Sequence, residues 1–180
     1  MRKNKNKKCL IIGRFQPFHG GHLYVLQKCL SDYEQVIIGI GSAQEDYTYQ
    51  NPMTIKERKE MIERVFSSQK IKSSKYKIVA LPDISTNSLW ADYVAKKAGK
   101  FDYVVTASPF TKLLFGDSGY RVSEHALYQR KRYSGTEIRN RIINNRDWYD
   151  LVPPIVYVYL NKKNIADRIR DISKTDNPYL

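Results

Sequence analysis

The sequence is poor in cysteine and contains no long hydrophobic run. Its 180 residues include two cysteines, Cys9 and Cys29, which are too few for a disulfide framework and do not form a CxxC pair. Both lie among apolar residues, which predicts buried, reduced thiols. No segment approaches the roughly 18 consecutive apolar residues of a membrane-spanning helix. No long apolar run follows the basic N-terminus, as a secretory signal would require. We therefore expect a soluble, cytoplasmic protein with no membrane partner.

Two common nucleotide-binding motifs are also missing. A GxGxxG fingerprint should follow the first strand of a dinucleotide-binding fold, and a phosphate loop reads GxxxxGK followed by Ser or Thr. The sequence contains neither. The partial match GIGSAQ at residues 39–44 lacks the third glycine and follows the second predicted strand. A permanently bound dinucleotide cofactor is therefore not expected.

Acidic residues are the minority among the charged side chains. The formal net charge is +13, and five positive charges lie in residues 1–8, which are expected to form a flexible basic tail. A basic protein suits a polyanionic partner, either nucleic acid or the phosphates of nucleotides. The run QRKRY at residues 129–133 supports a nucleic-acid-binding module as one hypothesis. No RNP, zinc-finger or helix-turn-helix signature accompanies it, so small nucleotides are the favoured partners.

Strand-like and helix-like segments alternate along the chain. Short β-branched runs predict strands, and apolar residues at helical spacing behind a Ser/Thr-x-x-Glu capping box predict helices. Alternation with short connections is typical of βαβ units on a mostly parallel sheet. The predicted strands are residues 8–14, 34–42, 75–83 and 101–108, and the predicted helices are residues 20–32, 54–68, 87–99 and 134–145.

The fold class expected from this pattern is α/β, a Rossmann-like, doubly wound, mostly parallel sheet of about five strands. No repeat or linker divides the chain, so residues 9–180 are expected to form a single domain. Residues 153–180 are expected to be helical, with a short strand at residues 155–160 as the alternative. Ligands of such sheets bind at the carboxyl ends of the strands, which directs attention to the segment after the first strand.

That segment reads GRFQPFHGGHL, residues 13–23. Zinc needs three or four ligands, and no nearby Cys, Asp or Glu joins His19 and His22, so no metal site is expected. A phosphate fits better. Glycines at positions 13, 20 and 21 allow a sharp turn and an open helix start, and a helix N-terminus attracts anions. The two histidines and Arg14 add hydrogen-bond donors and a positive charge. The alternative is a pair of ordinary histidines at a helix start.

The same segment resembles the GxFxPxHxGH signature of the HxGH nucleotidyltransferase superfamily. Four further segments are similar, in kind and order, to the archaeal-type nicotinamide mononucleotide (NMN) adenylyltransferases. The resemblance implies transfer of AMP from ATP to NMN, giving NAD and pyrophosphate. The NMN phosphate is then the nucleophile, so the protein positions substrates and stabilises charge. The four segments are GSAQ (41–44), NPMTIKER (51–58), NSLW (87–90) and YSGTEIR (133–139).

The resemblance also implies roles for individual residues. Arg14, His19, His22 and Arg139 would be catalytic at the ATP phosphates, with His22 at the α-phosphate. Magnesium would be held by the substrate phosphates. Because the family tends to assemble, a homo-oligomer is implied, with a hexamer as the first candidate. The other implied ATP contacts are Gly13, Phe15, Ser134 and Thr136, and the implied NMN contacts are Asn87, Trp90, Tyr128 and Gln50.

Gln50 departs from the family pattern, in which an arginine often precedes the Asn/Asp-Pro step and is thought to hold the NMN phosphate. A neutral amide binds phosphate more weakly than a guanidinium does. Either Arg58 or Lys56 replaces that arginine, or the second substrate differs. The enzyme alternatives are therefore other HxGH transferases, which adenylate pantetheine phosphate or FMN or make CDP-alcohols. On spacing alone, Trp90 would be a core residue of an amphipathic helix.

Overall fold

The computed structural model describes residues 4–123, 129 and 132–176. The chain forms two compact units. The first comprises residues 1–13, 24–43 and 72–127, and the second comprises residues 14–23, 44–71 and 128–180. None of the described helices has the length and apolar character needed to cross a membrane. The grouping of residues 9–180 into one domain stays a prediction.

The first unit is built on a sheet of five strands. These are β1 (Asn4–Gly13), β2 (Tyr33–Gly41), β3 (Tyr76–Leu81), β4 (Tyr103–Val105) and β5 (Val122–Ser123). Their order is β3-β2-β1-β4-β5, and all four pairings are parallel. The order reverses at β1, as it does in doubly wound sheets. The predicted α/β fold class is confirmed.

Three helices, α1 (Gly20–Asp32), α3 (Trp90–Ala98) and α4 (Pro109–Asp117), contribute to this unit, α1 through its residues 24–32. On one face of the sheet, Leu10 is in register with Ile37 and Val104, and all three are buried with residues of α3 and α4. Successive strand residues point to opposite faces, so Cys9 faces the other way. Its thiol is hydrogen-bonded with that of Cys29 in α1. Both cysteines are buried and free, as predicted.

The structure corrects the sequence prediction at three places in this unit. β1 begins at Asn4, so residues 4–8 are strand rather than flexible tail. Asp102 stabilises this extension, because it accepts hydrogen bonds from the Lys8 N–H at 2.8 Å and from Lys7 Nζ at 2.9 Å. The helix expected from residue 87 starts as a 3-10 turn at residues 87–89. α4 and the two-residue β5 were not predicted, since β5 is too short to show a period.

The described residues of the second unit form four helices, α2 (Ile55–Ser68), α5 (Gly135–Ile143), α6 (Pro154–Lys162) and α7 (Ile165–Thr175). α2 packs on α6, and α7 packs on α5 and α6. The helical prediction after residue 153 is confirmed through residue 175, and the alternative strand at residues 155–160 is wrong. The buried apolar side chains include Met61, Ile62, Val65, Phe66, Ile138, Ile142, Leu160 and Ile169.

Candidate active site

The loop of residues 14–19 leads from β1 into α1 and belongs to the second unit. Gln16 anchors it with a side chain that is only 3 % exposed. Its Nε2 donates to the carbonyl oxygen of Met53 at 2.9 Å, and its Oε1 accepts from the Met53 N–H at 3.0 Å. The backbone adopts a left-handed φ of 52° at Phe15 rather than at Gly13. The motif is therefore a fixed loop, and its left-handed backbone conformation lies at Phe15, two residues after Gly13.

His19 and His22 form a reciprocal pair at the start of α1. Their rings stack with centroids 3.6 Å apart. The N–H of His22 donates to Nδ1 of His19, and the N–H of His19 donates to Nδ1 of His22, both at 3.3 Å. A ring nitrogen that accepts a hydrogen bond carries no proton, which assigns the hydrogen of each neutral ring to Nε2. Both imidazoles are therefore held as Nε2–H donors.

The surroundings of this pair keep it neutral in the protein without ligand. The rings of Phe15 and Phe18 lie 4.6 and 5.4 Å from the ring of His22. Burial lowers the pKa of His19 to about 4. Burial, followed by the neighbouring His19, holds the pKa of His22 well below 6.5. A bound anion would raise both pKa values, because a nearby negative charge favours the imidazolium form.

Arg139 is a buried cation with little to neutralise it. The residue is 5 % exposed, and its Nη1 donates to the carbonyl oxygen of Gln16 at 2.8 Å. Its Nε is buried and has no hydrogen-bond partner. Burial, then the positive charge of Arg14, lowers the pKa of Arg139 to about 10, and no carboxylate in the described part of the chain opposes that shift. Buried charges are ordinarily paired, so this arrangement is suited to an anion.

The start of α5 meets the same loop. A Cβ on Gly135 would lie 2.7 Å from the carbonyl oxygen of Gln16, so only glycine permits this approach. Ser134 is the N-cap residue, as predicted, and its Oγ accepts from the N–H of Glu137 at 3.1 Å. The Glu137 carboxylate instead accepts from Arg141 Nε at 2.8 Å. Thr136 is exposed in the first turn.

Two neighbouring side chains pack closely against the glycines at the start of α1. A Cβ on Gly20 would lie 2.7 Å from Cε1 of Tyr133. A Cβ on Gly21 would lie 3.1 Å from Nδ1 of His19. These glycines therefore leave room for the Tyr133 ring and the His19 imidazole.

Gln50 lies beside the charged residues. Arg14 is exposed, and its Nη1 donates to Oε1 of Gln50 at 3.4 Å. Arg58 is fully buried, and its guanidinium donates to the carbonyl oxygens of Arg14 and Glu45, both at 3.2 Å. Arg58 therefore holds the backbone of the loop, and its replacement of the arginine expected at position 50 stays a prediction. Lys56, the other candidate, is exposed.

The residues implied in NMN binding do not all belong to the second unit. Asn87 is exposed at the start of the 3-10 turn in the first unit. Trp90 is half-buried and packs edge-on against Phe115, with ring centroids 5.6 Å apart, so it also contributes to the core of that unit. Tyr128 lies outside the described residues. The structure thus brings together Arg14, His19, His22, Gln50, Ser134 and Arg139 within the second unit.

Sequence reasoning missed Gln16, Met53 and Gly135 as parts of the site. Gln16 stands inside the quoted motif, but nothing in the motif indicates that its amide is buried. The partner of Gln16 is a backbone group, and backbone groups leave no trace in side-chain patterns. Gly135 lies in YSGTEIR, where a helix-start glycine has an ordinary capping explanation.

Comparison with known proteins shows the family of this chain. The cytidylyltransferase-like family matches residues 10–141. The chain is 44 % identical to the nicotinamide-nucleotide adenylyltransferase of Thermococcus sibiricus over 161 residues, which are 89 % of this chain and 87 % of that protein. It is 39 % identical to the nicotinamide-nucleotide adenylyltransferase of Thermoplasma acidophilum over 176 residues, or 98 % and 97 % of the two chains.

A solved structure is also similar. It is a bifunctional NMN adenylyltransferase/ADP ribose pyrophosphatase from Francisella tularensis, complexed with AMP and a manganese ion. The TM-score is 0.79 at 26 % sequence identity, and the match covers 96 % of this chain. The present chain spans about half of that longer one, 53 % of its length. From the extent and identity of these matches, the chain belongs to the family of archaeal-type nicotinamide-nucleotide adenylyltransferases.

Proposed function

We propose that this protein transfers the adenylyl group of ATP to NMN and releases NAD and pyrophosphate, a step of NAD biosynthesis. One observation carries the proposal. The buried guanidinium of Arg139 has no carboxylate partner among the described residues, feels the positive charge of Arg14, and donates to the loop that leads into the histidine pair. Guanidinium groups and aligned N–H donors bind phosphate through charge-assisted hydrogen bonds. The family membership identifies the phosphate carrier as a nucleotide.

The reaction needs no general base from the protein. A phosphate oxygen of NMN attacks the α-phosphorus of ATP, so that a new P–O bond forms. The bond from the α-phosphorus to the bridging oxygen breaks, and pyrophosphate leaves with the electron pair. Negative charge increases on the leaving phosphates, and fixed donors stabilise it without reorganisation.

Different residues of the second unit are proposed to contact different phosphates. His22, as an Nε2–H donor, is proposed at the α-phosphate, with His19 next to it. Arg14 and Arg139 are proposed to neutralise the phosphate charge. The helix start at Ser134 and Thr136 would hold the outer phosphates through its N–H groups, and Gly13 and Phe15 shape the loop.

Magnesium is proposed to enter as part of the substrate, bound to ATP phosphate oxygens. The described residues include no group of three His, Cys, Asp or Glu side chains arranged to hold a metal. The site is built from cations and N–H donors, which fit phosphate rather than a metal ion. No step of the reaction is therefore assigned to a metal held by the protein.

The pyridine end of NMN is proposed to contact Asn87 and Trp90, with Tyr128 as a further contact. Gln50 is proposed at the NMN phosphate, with the guanidinium of Arg14 supplying the charge that Gln50 lacks. We also propose that the enzyme is a cytoplasmic homo-oligomer, with the hexamer as the first state to test.

A substrate panel tests the function. Purified protein with ATP and magnesium is offered NMN, nicotinate mononucleotide, FMN and pantetheine phosphate separately, and the dinucleotide and pyrophosphate are both measured. We expect NAD and pyrophosphate to appear in equal amounts with NMN. Product with FMN or pantetheine phosphate alone would contradict the choice of substrate. Absence of any product, together with salt-sensitive nucleic-acid binding, would favour the nucleic-acid module.

The pyridine contact is tested with Trp90→Leu, which keeps an apolar side chain against Phe115. We expect the KM for NMN to rise several-fold while the KM for ATP stays unchanged. Tyr93→Leu is the matched control, because Tyr93 is an aromatic residue of the same helix packed on the same core. Equal effects of the two substitutions would show that Trp90 acts through packing only.

A further inference from the structure

We propose that Gln16 is a positioning residue for the ATP phosphates, and that it acts by fixing the position of the Arg139 guanidinium. The inference rests on the proposed function, since it concerns the same phosphate site. Gln16 is not itself placed in contact with the substrate. Its role follows from two sets of hydrogen bonds made at opposite ends of the residue.

The side-chain end is clamped to a peptide unit. The amide of Gln16 pairs with both the N–H and the carbonyl oxygen of Met53, at 3.0 and 2.9 Å. Gln16 is 3 % exposed and Met53 is fully buried, so water cannot replace these bonds. Removing the amide would leave two buried backbone groups unpaired. Only a side chain with a donor and an acceptor at this reach satisfies both.

Met53 is itself held firmly, because it precedes the N-cap of α2. The Thr54 N–H donates to the carboxylate of Glu57 at 2.9 Å, and the Glu57 N–H donates to Thr54 Oγ1 at 3.2 Å. This capping box fixes the backbone on the C-terminal side of Met53. The loop is thus tied through Gln16 to a rigid helix start.

The backbone carbonyl group of Gln16 fixes the position of the Arg139 guanidinium. The carbonyl oxygen of Gln16 accepts from Arg139 Nη1 at 2.8 Å, whereas Arg139 Nε has no partner. The carbonyl is also pressed against Gly135, where a Cβ would lie 2.7 Å away. Moving this carbonyl would therefore move the guanidinium as well. A planar guanidinium binds phosphate only where its donors point at the oxygens.

The first test is a double-substitution cycle read out by calorimetric binding of ATP with magnesium, without NMN. Gln16→Met has a similar length and no hydrogen bonds, and we expect it to weaken ATP binding about tenfold or more. In the Arg139→Met background the same change should alter the affinity by less than about twofold, because the group it positions is gone. Gln35→Met is the control. It removes an exposed amide bond to the Ser74 carbonyl in the first unit and should leave ATP binding unchanged.

The second test is Gln16→Glu, which decides the question if Gln16→Met fails to fold. An ionised carboxylate accepts from the Met53 N–H but places its other oxygen against the Met53 carbonyl oxygen. A protonated one donates there, as the native amide does. We expect the ATP affinity of this variant, relative to wild type, to recover as the pH falls from about pH 8 to about pH 6.

Equal losses from Gln16→Met in both backgrounds, or no recovery of Gln16→Glu in acid, would overturn the inference. Binding is measured without turnover, so the two proposals can fail separately. A wild-type protein that binds ATP but makes no NAD would contradict the proposed function, while the cycle would still decide the role of Gln16. A wild-type protein that does not bind ATP would refute both.

Discussion

Replacing Arg139 with methionine should separate ligand binding from stability. In the protein without ligand, burial and the charge of Arg14 lower the pKa of Arg139 from 12.5 to about 10. Each pKa unit corresponds to about 1.4 kcal/mol, so the charge destabilises the folded state by roughly 3 kcal/mol. This penalty is present at every pH below about 10 and disappears as the pH rises from there towards 12.5.

The substitution has a second, opposing effect on stability. Without Nη1, the buried carbonyl oxygen of Gln16 loses its donor, which costs about 1–3 kcal/mol. We therefore expect the free energy of unfolding without ligand to be unchanged or up to about 2 kcal/mol higher in Arg139→Met. ATP binding should weaken roughly 10- to 100-fold, because a charge-assisted hydrogen bond is worth about 1.5–3 kcal/mol.

The assay is urea unfolding with and without ATP and magnesium. At an ATP concentration of about 100 times the wild-type Kd, the ligand should stabilise wild type by about 2.7 kcal/mol and Arg139→Met by less than about 1.5 kcal/mol. Arg170→Met is the control, because Arg170 donates to the Ile142 carbonyl and to Asn145 away from the loop. Without ligand, the free energy of unfolding of that variant should be about 1 kcal/mol lower than that of wild type. ATP should stabilise the variant as much as it stabilises wild type. A clearly destabilised Arg139→Met variant that ATP still stabilises fully would contradict both expectations.

Burial and close packing also have measurable effects at His19, Gly135 and Glu57. Below about pH 6.5, His19 takes up a proton in the unfolded chain but not in the folded protein, where its pKa is about 4. The free energy of unfolding should therefore fall by roughly 3 kcal/mol by pH 4. Urea unfolding at a series of pH values should show that this free energy depends less steeply on pH in His19→Asn. Gly135→Ala should lower both the Tm and the affinity for ATP. Gly116→Ala should raise the free energy of unfolding by about 0.5–1 kcal/mol, because no atom lies within 4 Å of the new methyl group. Calorimetric scans would show both changes in stability. Burial raises the pKa of Glu57, but hydrogen bonds from Arg168 and Thr54 outweigh it, so the net effect is a lowered pKa. These hydrogen bonds therefore stabilise the folded protein above about pH 4.5, and this stabilisation is lost in stronger acid. Glu57→Gln should therefore cost about 1–3 kcal/mol at pH 7 and less near pH 4 by urea unfolding.

Most of the secondary structure could be predicted because it follows from local patterns. α1 has the predicted bounds, and the helix predicted at residues 54–68 begins at its predicted capping box at Thr54. The errors lie where local signals are weak. β5 has two residues, and residues 4–8 become strand through partners that are distant in the sequence: Tyr33 and Gln35 of β2 pair with Asn4 and Lys8, and Asp102 binds Lys7 and Lys8.

Most strands and helices could be predicted from the sequence, which also places Arg14, His19 and His22 directly after the first strand. Periodicity, capping residues and turn chemistry are local properties, so they can be read along the chain. The contacts and protonation states of these residues depend on packing between distant segments. Gln16 pairs with a backbone 37 positions away and accepts from a guanidinium 123 positions away. The low pKa of Arg139 and the neutral state of His19 come from burial. Burial and long-range pairing exist only once distant segments are packed together, which is why no pattern within the motif could reveal them.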